Sequence, residues 1–512
     1  MDSLASGTAS PPISRWWSEH RTISLALIYG AVAVLLAVPM LIVTVPLGAD
    51  DLNHLARIYV RAHIATDPDL ERLFQLNSEL TPYAGMDFVL TPLARVLPIM
   101  VAARIYIVAL VWGLVGAVVV LQRAFTGRIG IAPAAAGLIA YNGLLAWGLL
   151  TYLLGMILAL LLFATWHSYR ARPWWFRLIF FSGAATVLYV THVLAFVLYG
   201  VMVASYELFA RPRPWRTAPR DWVVAAGQAI PALMMWRSLS MWHSLGTRIA
   251  GQSAFTYMAN FKLFAIVAPI AFSGAVGGFL DFGVVVLIYG GLVWFLAPWR
   301  GWPIWPRGLA APALVMLVLT LVMPLSFMGV GLFDYRFTVP AACLLLAGLR
   351  PKYFDLRRAV AAGVAVGVCM VAHIADVSQV MHRCDLQYAE LSRGLQSLPR
   401  GAVVETVLER SAPEPGAKCT TLPIYNHIAS LVTIERSGAA PDFFALVTSV
   451  NARGGRQTDT EPVSADQFTK APAGGYVLWF HFGHRRPVPR GLTLLWRGSF
   501  FDVWSAVSGK AL

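Results

Sequence analysis

The chain has 512 residues, of which 58% are hydrophobic and only 13% charged. A soluble enzyme carries about 25% charged residues, so this composition excludes one and points to a polytopic membrane protein. The net charge of +14 does not indicate a nucleic-acid partner, because the arginines fall in short clusters between apolar runs, as the positive-inside rule expects. The four cysteines, Cys343, Cys369, Cys384 and Cys419, form no CxxC and have no metal-like spacing.

Residues 1–22 are polar, contain Arg15 and Arg21, and are expected in the cytoplasm. The apolar run 23–45 is too long for a signal-peptide core, lacks a small-x-small cleavage site, and reads as a retained first span. Residues 46–100 form a long outer loop, expected to carry two helices lying on the membrane surface. Further spans are predicted near 104–122, 130–146, 149–167, 177–191, 193–209, 222–237, 282–298, 309–326, 337–349 and 359–377, about eleven with the first. The Gly-rich stretch 261–280 is expected to be re-entrant or interfacial. An odd number of spans leaves residues 378–512 outside, as a small α/β domain beyond the transmembrane domain of residues 23–377. Within it, 402–407, 476–480 and 492–496 read as strands and 424–434 as a helix. Cys384 and Cys419 can pair there if the compartment is oxidising.

No P-loop, GxSxG, HExxH or correctly placed GxGxxG is present, and His481 with His484 makes a poor metal site for want of acidic or thiol ligands. The chemistry-bearing residues gather instead on the outer face. Asp50-Asp-Leu-Asn-His-Leu-Ala-Arg57 continues to Arg61, and a helix starting near Asp50 aligns Asp51, His54 and Arg61 with Arg57 beside them. Tyr141-Asn-Gly-Leu-Leu-Ala-Trp-Gly148, Thr191-His192, Arg237, Lys262 and Phe333-Asp-Tyr-Arg-Phe337 map to the same face. Carboxylates beside cations at a membrane surface suit a division of roles in which Arg or Lys holds a phosphate headgroup while Asp deprotonates a hydroxyl. Plain structural roles compete with each. Asp50 is a good N-cap and Asp51 suits the positive helix end, Asp334 and Arg336 can pair, His192 can close a turn, and Arg237 and Lys262 can snorkel to lipid.

This layout of one span, an outer loop opening on an acidic pair, some ten more spans and a soluble domain on the same side resembles the GT-C superfamily of integral-membrane glycosyltransferases. Asp50-Asp-Leu-Asn-His-Leu-Ala-Arg57, Tyr141–Gly148, Thr191-His-Val-Leu-Ala195 and Asp334-Tyr-Arg336 resemble segments of a bacterial inner-membrane group with that layout. The resemblance implies a sugar donor linked to polyprenyl phosphate, an envelope acceptor on the periplasmic side, and an inverting transfer with an aspartate base. It carries the base to Asp50 or Asp51, left open between the two, which in metal-dependent members would instead bind a divalent ion; His54 is then read as the residue that orients the base or binds the sugar. The family's phosphate-binding residues have no placed counterparts here, and from the outer-face inventory Arg57, Arg61, His192, Arg237, Lys262, Asp334 and Arg336 are the candidate phosphate and substrate partners. The WWD motif of oligosaccharyltransferases is absent. The competing functional readings are a transporter or flippase for a lipid-linked or anionic substrate, and a non-catalytic scaffold; the gathering of charge at one surface instead of the midplane speaks against transport.

Overall fold

The computed structural model describes residues 12–506, apart from 78–80, 211–217, 239–254, 273–304, 328–329, 350–355, 411–413, 415, 442–449, 454–461, 469–474, 486 and 488–490. Helix α1 (Pro12–Ile42) leads to the first loop, which holds α2 (Asp51–His63), α3 (Pro68–Leu73), strand β1 (Phe74–Leu76) and α4 (Gly85–Ala94). Three helices thus stand where two were expected. The additional one, α3, starts because the Asp67 side chain accepts from the Asp69 and Leu70 amides while Pro68 takes the first helical position, where its missing N–H costs nothing.

Next come α5 (Ile99–Thr126), a 3-10 segment (Ala132–Ile139), α6 (Gly143–Ala146), α7 (Leu150–Ser168), α8 (Trp174–Thr191) and α9 (Val193–Ser205). The expected span 130–146 is therefore no regular α-helix; Asn142 interrupts it by capping α6 through the Leu144 and Leu145 amides. The expected span 222–237 is likewise split into α10 (Ala218–Gly227) and α11 (Ile230–Ser238), with Pro231 lacking the N–H a continuous helix would need there. After β2 (Phe255–Thr256) and α12 (Lys262–Val267), the expected span 282–298 lies outside the described residues, and the 261–280 stretch is described only to 272. Then follow α13 (Arg307–Val322), β3 (Ser326–Phe327), α14 (Tyr335–Gly348) and the 40-residue α15 (Leu356–Leu395).

Among the described residues six helices are long and apolar enough to cross a membrane. Their outer faces are apolar and exposed at helical spacing, as at Val360, Val364, Val368 and Val371 of α15, a surface that only a bilayer would cover favourably. The protein is a mainly helical, multi-pass membrane protein with a small sheet near its C terminus.

Residue 378 falls inside α15, which runs unbroken out of the bundle. There Asp385 accepts from the Thr44 and Val45 amides at 3.0 and 2.9 Å, fixing the exit of α1, and Cys384 is disulfide-bonded to Cys419. The C-terminal region adds β4 (Val404–Leu408), α16 (Leu431–Arg436), β5 (Val450–Ala452), β6 (Val463–Ser464), β7 (Tyr476–Phe480), β8 (Leu492–Arg497) and β9 (Phe501–Ala506). Five of these strands form a mixed sheet in the order β6-β4-β7-β9-β8, with β4 parallel to β6 and β7 and the remaining pairs antiparallel. The helix expected over 424–434 is instead two 3-10 turns, Ile424–Asn426 and Ile428–Ser430, followed by α16.

The first loop and this C-terminal region dock on each other. Strand β1 pairs with β5 in antiparallel register, Phe74 opposite Ala452. Asp67 accepts from Arg400 at 2.7 Å and Ser437 at 2.6 Å, and Arg453 donates to the Phe74 carbonyl at 2.9 Å. Apolar closure comes from Ala56, Val60, Leu70, Leu73 and Phe74 against Ala439 and Val450. Helix α2 is thereby buried on two sides: Leu52, Leu55 and Ile58 join the bundle core, while Ala56 and Val60 face the C-terminal region.

Candidate active site where the first loop meets the C-terminal region

The acidic pair is set by two glycines distant in sequence. The loop entering α2 is held to the α6 turn by the Ala49 amide donating to the Ala146 carbonyl at 2.8 Å. A Cβ on Gly48 would lie 2.5 Å from the Asp51 carboxyl carbon. One on Gly148 would lie 2.8 Å from both the Asp50 amide nitrogen and an Asp51 oxygen, and Gly148 also adopts φ +76°, which favours glycine. The Tyr141–Gly148 segment is therefore the platform for the acids, and Asn142, fully buried, serves it as a cap.

Within this cradle the two carboxyls diverge. Asp51 is completely buried, and neither of its oxygens has a hydrogen-bond partner among the described residues. Burial, and then the neighbouring Asp50 charge, push its pKa up to about 8, so near neutrality its protonated form dominates. Asp50 sits at the N-cap position of α2, where its carbonyl accepts from the His54 amide at 3.1 Å but its side chain makes no capping hydrogen bond; that side chain, 27% exposed, turns toward His427 with 3.5 Å between Oδ1 and Nε2. The accessible carboxyl of the pair is Asp50.

Around Asp50 and Arg336 stand groups from several parts of the chain. Asn53 of α2 lies 3.1 Å from His427 Nδ1. His54 is kept neutral, its pKa pushed down to about 3 by burial, by Arg57 and by His427. Arg336 of α14 is within electrostatic reach of Asp50 and Tyr83, and its guanidinium lies over the Tyr152 ring of α7 at 5.1 Å. Its Nη2 donates to the Gly331 carbonyl at 3.3 Å, while the buried Nε and Nη1 have no hydrogen-bond partner among the described residues. Tyr152 donates to the Arg336 carbonyl at 2.5 Å, holding the α14 start in place. His192 closes the α8–α9 turn by accepting from the Leu194 amide at 3.1 Å, and stacks edge-on against Tyr83 and Tyr152 at 4.9 and 5.3 Å.

The other cations expected at the site are engaged elsewhere. Arg57 forms a buried pair with Asp87 at 2.5 Å, and Arg61 lies 3.7 Å from the same carboxylate. Lys262 pairs with the fully buried Asp334 at 2.7 Å and also donates to the Met323 carbonyl. Arg237 lies on α11, but its side chain is outside the described residues. No group of three or more His, Cys, Asp or Glu converges among the described residues, and the enclosed Asp51 carboxyl is a poor ligand beside Asp50, so a resident metal does not fit the described residues. Sequence reasoning missed His427, which lies inside the apolar run Ile424-Tyr-Asn-His-Ile428 with only its isolated polarity as a signal; Tyr83 and Tyr152 read as ordinary loop and span aromatics.

No protein-family model and no curated protein sequence matches the chain. Solved structures do. ArnT from Cupriavidus metallidurans, determined bound to undecaprenyl phosphate, aligns with a TM-score of 0.53 at 13% identity over 95% of this chain and 99% of ArnT. Its apo state aligns with the same score and identity over 98% of ArnT. The arabinofuranosyltransferase AftD from Mycobacteria aligns at a TM-score of 0.43 and 14% identity, over 96% of this chain and 40% of AftD. The alignments cover nearly the whole of both chains, so this chain has the fold of ArnT.

Proposed function

We propose that this protein is a membrane glycosyltransferase that moves a sugar from a polyprenyl-phosphate-linked donor to an acceptor on the periplasmic side of a bacterial inner membrane. The observation that carries the reading is a partly exposed Asp50 carboxyl within electrostatic reach of a buried Arg336 whose Nε and Nη1 have no hydrogen-bond partner among the described residues. An acceptor hydroxyl held beside Asp50 loses its proton to that carboxylate as its oxygen attacks the anomeric carbon; the bond from that carbon to the phosphate oxygen breaks, with inversion. Arg336 stabilises the charge that develops on the departing phosphate, and its fork suits two phosphate oxygens at once. The energy comes from the donor bond itself. Undecaprenyl phosphate bound to ArnT supports a donor of this class, and the Cys384–Cys419 disulfide supports an oxidising compartment for the face that carries the site.

The reading keeps Asp50, His54, His192 and Arg336 near the reacting atoms. It makes Asp51, Arg57, Arg61, Lys262 and Asp334 supports of the scaffold. The test compares envelope glycolipids and glycans, by mass spectrometry, from cells lacking the gene and cells re-expressing wild type, Asp50→Asn or Arg336→Met. Wild type is expected to restore a mass increment of one sugar unit, with Asp50→Asn lowering transfer by about 10²–10⁴-fold. Undiminished transfer by stably expressed Asp50→Asn refutes the base assignment. Movement of a chemically unchanged lipid across liposomes by the purified protein would instead establish transport.

A further inference from the structure

His427 reaches the acidic pair from 374 residues beyond Asn53, and the fold spends several independent interactions on bringing it there. Two 3-10 turns bracket it, Ile424–Asn426 and Ile428–Ser430. Two residues before it, Tyr425 donates to Gln387 of α15 at 2.5 Å, accepts from the Cys419 amide at 3.0 Å and packs edge-on against Phe482 at 4.7 Å. Cys419 in turn is tied to α15 through Cys384. A segment anchored this way holds its imidazole in one orientation.

The Asn53 amide nitrogen lies 3.1 Å from Nδ1, and an amide N–H can only donate, so this contact favours the tautomer in which Nδ1 accepts and Nε2 carries the proton. Nε2 is the atom that faces Asp50 Oδ1, at 3.5 Å. Asn53 and Asp50 lie three residues apart on one turn of α2, so a single ring spans both. Such contacts tighten when substrate excludes water. Asp50 also feels Arg336 and sits next to Asp51, while His427 also faces His54.

We propose that His427 is a positioning residue: the C-terminal region supplies a neutral imidazole, oriented by Asn53, whose Nε2–H aims and steadies the Asp50 carboxylate. This rests on the transferase reading for its consequence but not for its geometry. The C-terminal region is then part of the site, and the acid on the first loop is incomplete without it. Because His427 carries no spare lone pair toward Asp50, it does not take the acceptor's proton; that proton stays on Asp50 until solvent removes it.

The experiment uses the full chain in lipid nanodiscs and has two readouts. In transfer assays, His427→Ala is expected to lower kcat by about 10–100-fold with donor KM within about threefold, and to move the acidic limb of the pH profile upward by about one unit, since a lost donor to the carboxylate raises its pKa. His427→Gln, whose amide can donate from the Nε2 position, is expected to restore most of both. Wild-type rate and profile in His427→Ala, or a His427→Gln protein as impaired as His427→Ala, overturns the proposal. The second readout needs no activity: ¹⁵N-histidine spectra, with the His427 resonances assigned by their loss in His427→Gln. A neutral ring protonated on Nε2, whose tautomer balance changes in Asp50→Asn and in Asn53→Ala, supports the proposal. A ring protonated on Nδ1, or one indifferent to both substitutions, refutes it. If wild type transfers no sugar yet the spectra behave as expected, the transferase reading has failed and the positioning contact stands.

Discussion

Arg57 offers the sharpest separation of a scaffold role from a substrate role. Its guanidinium lies 2.5 Å from Asp87, and both side chains are nearly sealed from solvent, at 3% and 4% exposure. Arg57→Met keeps the length of the side chain and removes its charge, leaving Arg61 at 3.7 Å beside the Asp87 carboxylate. Stripping one partner from a buried pair costs about 3–5 kcal/mol. Arg61, 28% exposed, keeps part of the interaction, which sets the expected cost near the lower end, about 3 kcal/mol. For a chain of 512 residues that corresponds to a fall in thermal midpoint of roughly 3 °C. The double substitution Arg57→Met/Asp87→Leu removes both charges from the low-dielectric interior and is expected to recover most of the loss. The assay is tryptophan fluorescence on heating, in nanodiscs, alongside sugar transfer measured well below the lowest midpoint. A single mutant with an unchanged midpoint and abolished transfer would refute the reasoning and return Arg57 to the phosphate site.

Asp51 makes a pH prediction. Its folded pKa lies above the ordinary 3.8, so between that value and about 8 the folded protein binds the extra proton, and stability is present at low pH and lost as pH rises. The slope is at most about 1.4 kcal/mol per pH unit, and Asp51→Asn, measured by thermal midpoint against pH, is expected to flatten it and to be the more stable protein at the alkaline end. Gly148→Ala places a Cβ 2.8 Å from the Asp50 amide, a backbone atom that cannot rotate away, and transfer should fall on the order of 10²-fold. Gly116→Ala, in α5 with nothing within 4 Å, is its neutral control. Replacing Cys384 and Cys419 by serine opens a link across 35 residues, with an expected cost of about 3–4 kcal/mol. The serine pair should lower transfer less than additively with His427→Ala, because both loosen one contact; full additivity in a double-mutant cycle would count against that coupling.

By itself the sequence determined that the chain is a membrane protein, where several of the long apolar helices begin and end to within a few residues, and that an acidic pair opens the first loop. These are local properties: hydropathy over about twenty residues identifies a span, and strands such as Tyr476–Phe480 follow from short apolar runs between turns. Pro231 and Asn142 carried break signals that apolar content masked, so two expected spans came out interrupted. The division of labour among the charges was decided only by tertiary structure. Asp50 and Asp51 are neighbours of the same type, and nothing local says that Gly48 and Gly148 will enclose one carboxyl and leave the other open. Arg57 and Arg336 look alike as arginines beside a membrane. One is paired with Asp87, 30 positions away in the chain, and the other keeps buried N–H groups with no hydrogen-bond acceptor among the described residues. His427 joins Asp50 only because β1 pairs with β5 and α15 carries the chain back to the first loop. Burial and pairing set whether an ionisable group is charged, and both are properties of the folded packing, which is why the sequence could list candidate groups on the first loop but neither add His427 to them nor assign them their protons.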